Sequence, residues 1–267
     1  MDLQLARQVG IVFGGASGIG LAIVQQMLAE GMRVVLSDLS TDSVAAANDL
    51  SPSGDCLGCV ADITDEQAVR SVVKQTIEKW GAVQHVVVAA GAGSGKFGFP
   101  FWNLDPDDWR RVLQVNILGP AIIADAVQGP LREHAPGTLL FFTSVAAQIG
   151  SQTDPPYSAA KAAVINFAQC AAKDLAPYDV RVNAIAPGMV QTPLNRAVWK
   201  SWYDQSPVDQ RLDYDSWAAE KIDKIAPLAR WQTAEDVANA AVFLMSPRAK
   251  NITGQTVNVD GGQVMHS

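Results

Sequence analysis

Three polar groups in one stretch have the chemistry to move a proton together: Ser144, Tyr157 and Lys161, within SVAAQIGSQTDPPYSAAK. Tyr157 and Lys161 are four residues apart, and the Ala-rich run around them, PYSAAKAAVINFAQCAAKDLA, reads as a helix. That spacing puts both side chains on one face, a turn apart. Pro155 and Pro156 suit its first turn, where no backbone donor is required. An ammonium beside a phenol favours the phenolate and lowers its pKa from about 10 toward working pH. Tyr157 is therefore a candidate general acid/base. Taken alone, Tyr-x-x-x-Lys is more often a surface pair on a helix, so the catalytic reading needs support from the elements around it.

Those elements begin at Val9. Val9 to Phe13 is a short apolar run suited to a strand buried on both faces. The turn Gly14-Gly-Ala-Ser17-Gly18-Ile19-Gly20 follows at once, and then LAIVQQMLAE with helical periodicity, stopped by Gly31. MRVVLSDLS is a second buried strand, ending in Asp38. Glycines allow a tight turn with exposed backbone N–H groups, and the helix N-terminus behind it favours a phosphate. A carboxylate at Asp38 accepts hydrogen bonds from ribose hydroxyls and repels a 2′-phosphate, and no Arg stands beside it. The expectation is NAD rather than NADP.

The alternation continues. Thr41 to Leu50 reads as a short helix and Cys56 to Ala61 as a strand ended by Asp62. Thr64-Asp-Glu-Gln67 looks like a capping box for a helix that runs to Trp80 and stops at Gly81. Val83 to Ala90 is a nearly continuous apolar strand before GAGSG. Asp62 and Ile63 then stand at one strand tip and Ala90 and Gly91 at another, on the edge of a parallel sheet where ligands bind. Asp105-Pro106-Asp-Asp108 starts a further helix, within which Asn116 interrupts an apolar tract. Asn116 is either a structural hydrogen bond between helices or a local break that aims a carbonyl or a water at the site. Ser144 ends the strand Thr138 to Ser144, Pro187-Gly188 ends the strand VRVNAIAPG, Thr233-Ala-Glu-Asp236 caps a helix, and Gln255 to Val259 is a last strand. One doubly wound α/β domain accounts for residues 1–267. From 193 to 231 the pattern breaks into an aromatic-rich segment with Trp199, Trp202, Tyr203, Tyr214, Trp217 and Trp231, which reads as a substrate lid or a subunit contact.

Bulk properties narrow the classes. The chain of 267 residues is 48% hydrophobic and 18% charged, an ordinary globular balance. A net charge of −7 with no Lys/Arg run argues against nucleic acid or an anionic membrane as partner. No signal peptide and no uninterrupted apolar span is evident, so a cytoplasmic protein is expected. Cys56-x-x-Cys59 leads into a strand rather than a helix, and with Cys170 makes an odd count, which fits thiols in a reducing compartment. His85, His134 and His266 lack metal spacing and read as structural or exposed, so no metal site is expected.

Taken together, the chain resembles the short-chain dehydrogenase/reductase family over nearly its whole length. The resemblance rests on Gly14-x3-Gly18-x-Gly20, Asp62, Asn116, Ser144 with Tyr157-x3-Lys161, Pro187-Gly188 with Thr192, and the closing Val257-Asn-Val-Asp-Gly-Gly262. It implies a seven-stranded parallel sheet, usually in a homotetramer, and reversible oxidation of an alcohol by a nicotinamide cofactor. Tyr157 would take the hydroxyl proton, Ser144 would hydrogen-bond the substrate oxygen, and Lys161 would hold the ribose and depress the pKa of Tyr157. Asn116 would anchor a relay water. Gly14, Ser17, Gly18, Ile19, Gly20, Asp38, Ala90, Gly91, Pro187 and Gly188 would border the cofactor, with Asp62 and Ile63 at adenine and Val190 and Thr192 at the nicotinamide amide. Phe13 stands where the family commonly has Thr, and Ala89 where it has Asn, at a cost in loop bracing of about 1 kcal/mol each. The wall of the substrate pocket would draw on Phe97, Phe99, Trp102, Gln148, Gln152 and Trp199. The leading expectation is an NAD-dependent dehydrogenase of a secondary alcohol, with polyols and sugars as candidates. The alternatives are a 3-oxoacyl-carrier-protein reductase, which Asp38 and the acidic surface oppose, and a non-catalytic NAD-binding protein.

Overall fold

Apolar runs of four to eight residues become strands, and the amphipathic stretches between them become helices that cover both faces of the sheet. A computed structural model describes residues 2–265 other than 52 and 99; Phe99 and His266 lie outside the described residues. Strand β1 (Val9–Phe13) leads through helix α1 (Gly18–Ala29) to β2 (Arg33–Asp38), and α2 (Ser43–Leu50) leads to β3 (Cys56–Val60). Helix α3 (Glu66–Trp80) precedes β4 (His85–Val88); α4 (Pro106–Leu113) and α5 (Gly119–Glu133) precede β5 (Gly137–Phe142). A short α6 (Ala146–Ile149) and the long α7 (Pro155–Leu175) lead to β6 (Val180–Pro187). Helices α8 (Pro193–Gln205), α9 (Tyr214–Ile225) and α10 (Ala234–Met245) come before β7 (Thr256–Val259). The sheet has seven strands in the order β3-β2-β1-β4-β5-β6-β7, every neighbouring pair parallel. This is the doubly wound fold expected from the alternation. The order reverses between β1 and β4, and a crevice opens at the carboxyl ends of the strands there.

Caps locate several boundaries. Asp105 and Asp108 form a reciprocal capping box across Pro106 at the start of α4, and Thr233 and Asp236 form another at α10. The α3 cap differs from expectation. Asp65, not Thr64, accepts from the N–H groups of Gln67 and Ala68, because Thr64 is turned back onto Asp62 through its own N–H and hydroxyl. Gly81 ends α3 at φ 77°, a left-handed conformation that suits glycine.

The core lies in two layers. Ile11, Phe13, Val86, Val88, Leu139 and Phe141 face one side of the sheet, and Val12, Leu36, Val87, Leu140 and Ile185 face the other. Cys56 and Cys59 fall in opposite layers, so they are packed core thiols rather than a redox pair; burial pushes Cys56 up to about 11. The rod 106–133 is long and apolar enough to cross a membrane by composition alone, yet Val112, Ile123, Val127 and Leu131 are fully buried in the protein core. The Phe13 carbonyl accepts from the N–H groups of both Ala89 and Ala90 at 2.9 Å, so backbone bonds brace the tips of β1 and β4.

Candidate active site

The crevice of about 740 Å³ is bordered by Gly14, Ser17, Gly18, Ile19 and Gly20 after β1, Asp38 after β2, and Asp62 and Ile63 after β3. Ala90 and Gly91 after β4, Ser144 after β5, Tyr157 and Lys161 on α7, and Pro187, Gly188, Val190 and Thr192 after β6 complete it. Each comes from the carboxyl end of a strand or from the helix behind it, as the fold requires. A long, glycine-floored crevice beside a helix N-terminus fits a dinucleotide. Gly14 and Gly18 have φ 85° and 52°, and a Cβ at Gly20 would lie 1.9 Å from the Gly14 carbonyl oxygen. Only glycine lets the turn fold this tightly against α1. The Ser17 side chain makes no cap bond, which leaves the first N–H groups of α1 free for an anion. Asp38 aligns this turn: its Oδ2 accepts the Ala16 N–H at 3.0 Å and its Oδ1 accepts the Ser40 N–H at 3.1 Å.

Asn116 is fully buried in a π-helical turn, Gln114–Leu118, between α4 and α5. Its Nδ2 donates to the carbonyls of Ala92 at 2.6 Å and Val112 at 2.9 Å, and its Oδ1 accepts the Ala92 N–H. The amide therefore ties two segments together, as the structural reading expected, and it sits at a break in helical register. A methyl group on Gly91 would lie 2.9 Å from Asn116 Oδ1 and 3.3 Å from Lys161 Nζ, so these two polar groups adjoin the same bare backbone.

Lys161 is buried, its Nζ donating to the Phe142 carbonyl at 2.8 Å and lying 5.5 Å from the Tyr157 ring centre. Thr143 Oγ1 donates to the Lys161 carbonyl, and Ser144 Oγ accepts the Ala146 N–H. The electrostatics correct the expectation of a depressed phenol. Burial, aided by the Asp154 charge, pushes Tyr157 up to about 12, and burial pushes Lys161 down to about 8. Desolvation opposes both charged forms. The phenol is thus held neutral, as a proton donor.

The expected substrate wall is placed elsewhere. Gln148 exchanges two hydrogen bonds with Asn258, at 3.0 and 2.8 Å. Gln152 is exposed, and Trp102 is 72% exposed with its edge against Phe101. Trp199 turns away to bond the Leu212 carbonyl and to pack on Tyr203 and Tyr214. Phe97 packs beside Gly93 and Asp154. None of the five borders the crevice; Leu194, Asn195 and Val198 of α8 do.

A family model described as enoyl-(acyl carrier protein) reductase matches residues 14–264. The 3-oxoacyl-[acyl-carrier-protein] reductase of Synechocystis sp. is 32% identical over 265 residues, 98% of each chain. The chain belongs to the short-chain dehydrogenase/reductase family. The cis-4-hydroxycyclohexanecarboxylate dehydrogenase of Sinomonas cyclohexanicum is 31% identical over 263 residues, again 98% of each chain. The crystal structure of L-sorbose reductase from Gluconobacter frateurii, complexed with NADPH and L-sorbose, superposes with a TM-score of 0.90 at 26% identity over all of both chains. This short-chain dehydrogenase/reductase is an oxidoreductase of alcohols and carbonyl compounds that uses a nicotinamide cofactor. Arg111, Gln114 and Val115 also border its crevice, and sequence reasoning missed them. Their spacing along the helix that carries Asn116 held the signal, since i, i+3 and i+4 share a face.

Proposed function

We propose that the protein interconverts a secondary alcohol and its ketone with NAD(H), a polyol or sugar being the favoured substrate class, and that Tyr157 moves the hydroxyl proton. Asp38 carries the cofactor reading. Its carboxylate borders the crevice at the end of β2, and the next residue, Leu39, is exposed and apolar. The cations that border the crevice, Arg111 and Lys161, are on α4 and α7, away from that strand end, and Arg111 is occupied by the Ser94 carbonyl and Asp108. A 2′-phosphate would meet one negative charge there and no counter-charge.

The cofactor supplies or accepts the hydride. The protein's own groups do the rest. Ser144 offers a hydroxyl to the substrate oxygen, Tyr157 exchanges a proton with it, and the Lys161 ammonium steadies the tyrosinate that forms. The L-sorbose in the related complex supports the polyol class. The similarity to a 3-oxoacyl-[acyl-carrier-protein] reductase favours a second reading, a reductase of carrier-bound 3-oxoacyl groups. Initial rates with NADH and NADPH on ketoses, cyclic ketones and a 3-oxoacyl thioester separate the two. The first reading expects at least about tenfold preference for NADH, turnover of free ketones, and a relaxed preference in Asp38→Ala. NADPH-dependent turnover confined to the thioester would replace it with the second.

A further inference from the structure

A third titratable group stands at the N-cap of helix α7, ahead of Tyr157 and Lys161. Asp154, with extended backbone at φ −153° and ψ 87°, stands just before the first turn and precedes Tyr157 by three residues and Lys161 by seven. It occupies the N-cap position, its carboxylate beside the Tyr157 N–H without closing a full cap bond to the helix. The residue is 5% exposed. Its Oδ2 accepts the Ser94 N–H at 2.7 Å, which ties the loop after β4 to the start of α7. Its Oδ1 is sealed from solvent and has no hydrogen-bond partner among the described residues. An asparagine would hold the same Ser94 N–H without the cost of a buried, half-satisfied charge.

The groups packed around it leave that charge unneutralised. On α4, Asp108 is itself an anion, bound by Lys96 at 2.6 Å and Arg111 at 3.2 Å. In the loop, Ser94 contributes its N–H, and Gly93 and the Phe97 ring close the contact: a Cβ on Gly93 would lie 2.9 Å from Asp154 Oδ2 and 2.6 Å from Phe97. On α7 itself, Lys161 Nζ is directed to the Phe142 carbonyl. The titratable group that follows it on α7 is Tyr157, on which its charge acts.

We propose that Asp154 is a positioning residue of this active site: its buried carboxylate disfavours a tyrosinate at Tyr157 and latches the 91–96 loop to the catalytic helix, so that the resting site is loaded to donate a proton to a carbonyl. The proposal rests on the role given to Tyr157 above. The upward shift of Tyr157 has the Asp154 charge as its second cause after burial, and burial likewise raises Asp154 itself.

The test compares Asp154→Asn with the wild-type protein, each with nicotinamide cofactor. The expected result is an oxidative pH–rate limb displaced to lower pH by about half to one unit, hence oxidation about three- to tenfold faster below the midpoint, with KM little changed. Equal losses in both directions at an unmoved midpoint would reduce Asp154 to a latch and overturn the electrostatic role. Asp154→Ser, which also keeps an acceptor for the Ser94 N–H, gives the same comparison if the asparagine variant does not fold. A second readout needs no turnover: tyrosinate absorbance against pH, taken as the difference from Tyr157→Phe in each background. There the Tyr157 midpoint falls on removing the charge. An inactive wild-type protein would sink the functional reading, whereas an unmoved tyrosinate midpoint would sink this one.

Discussion

Tyr157 is partly open to the crevice, yet its phenol is held neutral because burial and the Asp154 charge both oppose the anion. Tyr157→Phe keeps the ring and removes only the exchangeable proton. It should lower kcat by about a hundredfold to ten-thousandfold while affinity for the nicotinamide cofactor by calorimetry stays within about threefold. Unchanged turnover would remove Tyr157 from the reaction. Lys161 sets a second expectation, because its amine is pushed down to about 8. Below that pH it is an ammonium beside the tyrosinate that forms when the phenol gives up its proton; above it the compensating charge is gone. The reductive rate should therefore be flat up to about pH 8 and fall beyond it, while the oxidative rate, which needs a proton acceptor, rises with pH. A reductive limb that stays flat past pH 10, near the ordinary lysine value, would contradict the burial argument. The sequence placed Tyr157 and Lys161 on one face by spacing alone, but the net direction in which each group shifts was not legible in it. That direction depends on how much water the fold removes from each group.

Between residue and fold stand the elements that hold the site. The π-helical turn over Gln114–Leu118 puts Asn116 against Ala92, so one side chain fixes both the helix break and the loop that ends in the crevice. Asn116→Leu leaves the Ala92 N–H and two buried carbonyls without that partner. It should cost about 2–4 kcal/mol in urea unfolding and most of the activity, whereas a loss below about 0.5 kcal/mol would show that the amide bridges nothing of consequence. Strand β4 carries a different device. His85 is buried between Gln8 Oε1 and Thr138 Oγ1, and Gln8 Nε2 donates to the Gln4 carbonyl, so its oxygen must face the ring and accept from Nε2–H. In the neutral ring Nδ1 then accepts from the Thr138 hydroxyl, and it is burial with the nearby Arg181 that keeps the ring neutral, pushing it down to about 3 from 6.5. Because the folded value is the lower one, the unfolded chain takes up a proton first as pH falls. Stability is full above about pH 6.5 and declines toward pH 3, by about 1.4 kcal/mol per unit at most. His85→Gln should flatten that slope in urea midpoints measured from pH 7 to 4, and parallel slopes would clear His85 of the effect. Strand and helix types were legible here because caps and apolar periods are local. The Thr64 cap was misplaced by one residue because two adjacent polar residues compete for the role, and Asp62, which draws Thr64 away, acts through a turn rather than a pattern.

At the scale of the molecule, the two layers over the sheet were readable from alternation, whereas the segment 193–231 was not, since aromatics without a strand partner give no register. The structure resolves it into α8 against the crevice and α9 outside, joined by a third apolar cluster separate from the other two: Tyr214, Trp217, Ala218 and Ile222, with Trp199, Trp202 and Trp231 around them. Trp199, the substrate residue expected from this segment, does not border the crevice, because it packs on Tyr203 and Tyr214 within the aromatic cluster. Only the edge of α8 reaches the site, and Ser201 and Gln205 touch the Phe97 carbonyl on the far side of it. A satellite cluster that shares no residue with the main core can open without unfolding the sheet. Trp217→Ala removes its most buried indole and should cost the segment about 3–5 kcal/mol. Amides of 193–226 should then exchange at least about a hundredfold faster while β1, β4 and β5 keep their protection, with KM for the substrate rising more than kcat falls. Trp217→Phe is the control: the indole N–H has no partner among the described residues, so the phenyl ring should keep most of the stability. Uniformly faster exchange across the strands in Trp217→Ala would mean that the aromatic cluster and the sheet form one cooperative unit, and the segment could not then move as a lid over a standing site.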